Sequence, residues 1–140
     1  MISALDSGLV AAISADEYMA RYLISRTDGL VQFKSDDAYE YTLAFSMLLL
    51  EQDAELRDRI SEVIADMKAD GTIDALKAHY IDDVIAGNEP EAIVPEHFDG
   101  AQTLNVALTG DRPPMDYFSA AGEPVGFNTA IVAEILIDPA

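Results

Sequence analysis

Apolar positions in DAELRDRISEVIADMKAD, residues 53 to 70, fall at Leu56, Ile60, Val63, Ile64 and Met67. Steps of three and four gather them on one side of an α-helix, which predicts a helix with one buried face. Asp53 and Glu55 stand at its positive end, Gly71 suits the position just past its C-terminus, and Thr72 is placed to cap a second helix, TIDALKAHYI. Two helices meeting at a sharp corner are the expected result.

Upstream, LVAAIS from Leu9 to Ser14 is a compact apolar run of strand length. Asp16 follows it where a helix cap belongs, ahead of EYMARYLISR. Tyr18, Met19, Tyr22 and Leu23 make one face of that helix. Asp28-Gly29 then turns the chain into LVQF, read as a second short strand. Tyr39 to Leu50 is apolar almost throughout, as in a strand buried on both faces or a buried helix piece; the aromatic and Thr content at its start favours strand.

Past Ile85 the periodicity fades. AGNEPEAIVPEHFDGAQ reads as a linker, with a boundary between about Gly87 and Gln102. Beyond it, LNVAL from Leu104 to Leu108 reads as a strand, Pro113-Pro114 interrupt regular structure, and MDYF is short and extended. Gly122 occupies a hairpin-like turn, and a final helix runs from about Asn128 to Ile137. The order of elements argues an α/β class, but the tail supplies one βα unit without companion strands. It requires a partner surface.

Composition narrows the chemistry. Of 140 residues, 26 are Asp or Glu and 8 are Lys or Arg, a formal charge of -18. Such a charge repels nucleic acid and anionic membranes, and there is no basic patch to bind either. Without cysteine, disulfides, thiolate nucleophiles and cysteine-ligated metals are excluded. His79 and His97 show no metal-ligand spacing, and Ser14 and Ser46 have no partner pattern for nucleophilic catalysis. Acidic pairs such as Asp82-Asp83 read as solvated faces. Gly110, Gly122 and Gly126 have the wrong spacing for a phosphate loop. These readings imply no enzyme, no cofactor and no metal. No basic leader precedes the N-terminal apolar run, so no signal peptide is expected in this chain.

Two stretches carry a resemblance. Leu104 to Leu108, Asp111, Pro113-Pro114, Tyr117, Gly122, Pro124 and Gly126-Phe127 together resemble the opening of the amino-acid-type periplasmic solute-binding proteins, the receptors of ABC importers. Asp6-Ser7-Gly8 with LVAAISAD, and the helix pair DAELRDRISEVIADMKADGTIDALKAHY, resemble the end of the second lobe in the same family. Their order is inverted relative to a complete module. The resemblance thus implies a fragment of the periplasmic-binding-protein-like type II fold. Residues 1–86 are then a lobe-two-like C-terminal part, 87–102 a linker, and 103–140 the N-terminal start of a further module, as in an excerpt from a tandem array or a truncated or permuted relative.

The same resemblance implies what is bound and by which residues. Asp16 matches the family's Asp that pairs with a ligand ammonium, while helix capping accounts for it independently. The loop from Gly110 to Asp116 matches a ligand-facing loop in which Arg112 and Met115 replace the usual aromatics, and Arg112 suits a carboxylate. Asn128 and Ala130 stand where acidic residues usually flank the first helix; Asn128 is expected to cap it, and Gly126 and Phe127 read as turn and core. Candidate ligand-binding residues are Asp16, Asp111, Arg112 and Tyr117. The implied function is binding of a small polar solute such as an amino acid. It would serve an ABC permease or sensory module, with an extracytoplasmic location in a longer parent. Alternatives are a structural or interaction domain and a dehydratase-like relative. An exposed apolar side on the last helix, with Ile131, Val132 and Ile135, also suggests a homodimer by segment exchange.

Overall fold

The computed structural model describes residues 2–33, 46–95 and 104–137. Among them the chain is a mixed α/β fold with several helices and one small three-stranded sheet. Helix α1 covers Ile2–Asp6, α2 Glu17–Arg26, α3 Ala54–Ala69 and α4 Thr72–Lys77. A π-helical turn at Ala78–Asp82 leads into α5, Asp83–Ile85. Strands β1 (Asp111–Arg112), β2 (Asp116–Phe118) and β3 (Pro124–Val125) pair antiparallel in sequence order, and α6 spans Phe127–Ile137.

The periodic stripe of α3 is where its spacing puts it. Ile60 and Met67 are buried, and Leu56, Val63 and Ile64 pack beside them. At the corner, Gly71 has φ +88°, a left-handed conformation that costs glycine little and any Cβ-bearing residue more. Thr72 does not cap α4 with its side chain. It is the first helical residue, and the carboxylate of Asp70 accepts its N–H at 2.9 Å. That bond holds the Asp70 carboxyl below its usual range.

Helix α6 is apolar on almost every side, the pattern of a helix with protein around it rather than water on one face. Its Ile135 joins Ile60 and Met67 of α3 in one cluster, and its Ala130 and Ala133 close on Ile93, Leu76 and Tyr80. The core therefore draws on both sides of the 87–102 stretch. Part of that stretch is itself packed: Ile93 is buried and donates its N–H to the Pro124 carbonyl at 3.1 Å. The apolar side of α6 packs on α3 and α4 of its own chain.

Three expected strands are absent from the described residues. Leu9 to Ser14, Leu30 to Phe33 and Leu104 to Leu108 form no ladder. Leu9 is 80% and Phe33 88% exposed. A strand is stable only when a neighbour takes up its backbone N–H and C=O groups, and side-chain pattern alone cannot supply one. Tyr39 to residue 45 of the long apolar segment lies outside the described residues. Its remainder, 46–50, has no regular structure and leaves Leu48 97% exposed before the 3₁₀ turn Glu51–Asp53. Helix α1 has no counterpart in the apolar pattern, being a single short turn with no buried residue.

Candidate functional site

Helix α2 begins where Asp16 stops the extended chain. Its Oδ1 accepts the Met19 N–H at 3.0 Å, satisfying one of the donors that a helix N-terminus leaves free. The expected face of Tyr18, Met19, Tyr22 and Leu23 is half-buried along its length.

The other half of the site is built by the β1–β2–β3 meander. Gly110 and Gly122 take left-handed φ of +74° and +81°, and the Pro113-Pro114 peptide is cis. Met115 donates its N–H to the Arg112 carbonyl at 2.7 Å, closing the turn between β1 and β2. Ser119 closes the next turn: its carbonyl accepts the Gly122 N–H, and its Oγ lies 3.3 Å from the N–H groups of Ala121 and Glu123. Register places Asp111 opposite Tyr117, and Arg112 opposite Asp116.

This meander meets α2 at two points. Arg112 Nη2 lies 3.5 Å from Asp16 Oδ2, so the capping carboxylate uses its second oxygen for an ion pair 96 residues away in the chain. The Tyr22 and Tyr117 rings meet edge to face, centroids 5.8 Å apart at 61°. Arg26 stacks over Tyr22 at 5.7 Å, pairs with Glu89 at 2.9 Å, and donates to the carbonyls of Asn88 and Val84. Three of the four sequence-predicted residues, Asp16, Arg112 and Tyr117, thus lie along one α2–hairpin contact. Asp111 is exposed on β1. Arg112 belongs to a strand, not to an irregular loop.

Burial pushes the Tyr117 phenol up to about 12, reinforced by Tyr22 and Glu89 and opposed by Arg26. The folded state therefore favours the protonated phenol. Its contribution to stability is complete below the ordinary value of 10.0 and disappears as pH rises toward about 12. Alkaline unfolding followed by circular dichroism is expected to show this fall in the parent and a shallower one in Tyr117→Phe; equal slopes would reject it.

Beneath the surface contact lies a polar cluster that the sequence reading missed. Asp116 is buried and accepts from the Thr109 hydroxyl, from the Gly110 N–H at 3.0 Å, and from Asn128 Nδ2 at 2.8 Å. Asn128 was expected to cap the last helix; it lies inside α6, and its amide instead reaches back to Asp116. Asn128 Oδ1 is buried with no hydrogen-bond partner among the described residues. Asp116 stands one residue from the predicted Tyr117. Nothing in the local pattern distinguishes it from a solvated acid, because its three donors come from the segment before β1 and from α6.

Burial alone would raise the Asp116 carboxyl. The bonds from Thr109, Asn128 and Gly110 together outweigh it and hold the group below its ordinary value of 3.8. A carboxyl lowered on folding contributes stability above its unfolded value, and that contribution is lost as pH falls through the folded one. Carboxyl-carbon NMR is expected to show Asp116 titrating below 3.8 in the parent and nearer to it in Thr109→Val. A parent midpoint above 3.8 would overturn the cluster as drawn.

His79 lies edge-on to Tyr80, with Nδ1 3.7 Å from Asp83. Asp82 accepts a 2.8 Å bond from Lys77, which keeps the lysine pKa raised. The Asp82-Asp83 pair thus lies on a solvated face, as read from the sequence, with one surface partner for each acid. His97 lies outside the described residues. Among the described residues no group of three or more His, Asp or Glu side chains is placed to hold a metal, and no helix is long and apolar enough to cross a membrane. No family model matches the sequence, and no curated protein or solved structure matches it significantly.

Proposed function

We propose that the chain contributes one side of a binding surface for a small polar solute, an amino acid or similar zwitterion. In this reading it is part of an extracytoplasmic uptake or sensory receptor of the periplasmic-binding-protein type, with residues 1–86 lobe-two-like and 103–140 lobe-one-like. The observation that supports it is the 3.5 Å approach of Arg112 to Asp16 across the α2–hairpin contact. A zwitterion offers an ammonium to Asp16 and a carboxylate to Arg112, each in a charge-assisted bond, and would replace a partly exposed pair that contributes little by itself. Tyr117 and Tyr22 add an aromatic wall.

A second reading, an interaction domain without a small ligand, is favoured by the same contact. Asp16 already caps a helix, and Tyr117 already packs on Tyr22, so both side chains are used in holding the hairpin to α2.

Calorimetric and NMR titration with a panel of amino acids separates the two. The receptor reading expects weak binding, with Kd above about 10 μM or roughly -7 kcal/mol, because only one charged pair contacts the solute. It also expects shifts at Asp16 and Arg112 that disappear in Arg112→Ala. A flat titration to about 10 mM, a Kd near -3 kcal/mol at best, would leave the interaction reading. Sub-micromolar affinity would show that more of a clamp is present than these residues provide.

A further inference from the structure

We draw no further inference here: the strongest candidate, the 410 Å³ apolar groove between residues 46–49 and 104–108 over Ile60 and Val132, carries nothing because no feature of the structure shows what covers it.

Discussion

Gly126→Ala is expected to unfold the α6 end of the molecule. Gly126 has φ +113°, where a side chain is strained in any surroundings. Here space is lacking as well: a Cβ would stand 2.5 Å from the Met115 carbonyl oxygen, 2.8 Å from its carbon and 2.9 Å from the Pro114 oxygen. All three are backbone atoms and cannot rotate away. Relieving the overlap means moving the β3–α6 junction off the β1–β2 turn. That movement breaks the bonds from Phe127 N–H to the Pro114 carbonyl and from Asn128 N–H to the Met115 carbonyl, at 3.1 and 2.7 Å. It also draws Asn128 away from Asp116, leaving a buried carboxylate short of a donor. The expected loss is about 4 kcal/mol or more, at the upper end of single-residue effects.

Gly122→Ala is the matched control. It has φ +81° but nothing within 4 Å of a Cβ, so only the left-handed penalty of about 1–2 kcal/mol applies. Urea denaturation of both variants decides the matter. If Gly126→Ala loses no more than Gly122→Ala, the close approach does not hold the tail in place.

Ile60→Asp is expected to remove most of the stability of the chain. Ile60 is the point where α3 meets α6: it is buried together with Met67 and Ile135, with Met47, Leu49 and Ile131 packed around them. The substitution loses about 1.5–3 kcal/mol of apolar burial. It also places a carboxylate in apolar contact, adding several kcal/mol or forcing the group to stay protonated. Because the cluster unites α3 with α6, both ends of the chain should unfold in one transition. Ile60→Val, which shortens the side chain by one carbon, is expected to cost about 0.5–1.5 kcal/mol. An aspartate variant within ~0.5 kcal/mol of the parent in urea would mean that the α3 stripe faces solvent.

Fold and site were legible to different depths. Helices α2, α3 and α6 were readable because an amphipathic or wholly apolar period, a capping carboxylate and a following glycine are local signals, satisfied within a few residues of one another. The turns at Gly71 and Gly122 were readable for the same reason. The strands read from Leu9, Leu30 and Leu104 were not realised in the described residues, since a strand is completed by a neighbour that its own residues do not encode. Of the site, Asp16 was visible as a cap, whereas its pairing with Arg112 was not.

Sequence by itself determined that α2, α3, α4 and α6 are helical, which face of α3 is apolar, and that the chain turns through a left-handed glycine at Gly71 and Gly122, because these depend on backbone preference and on water's exclusion of a contiguous stripe. Tertiary structure alone decided that α6 closes on α3 of the same chain. It also decided that Asn128 serves Asp116 rather than its own helix end, and that an acid at residue 16 meets an arginine at residue 112. Burial and charge pairing act over distances in space, and only the folded path of the chain converts a separation of 96 residues into 3.5 Å.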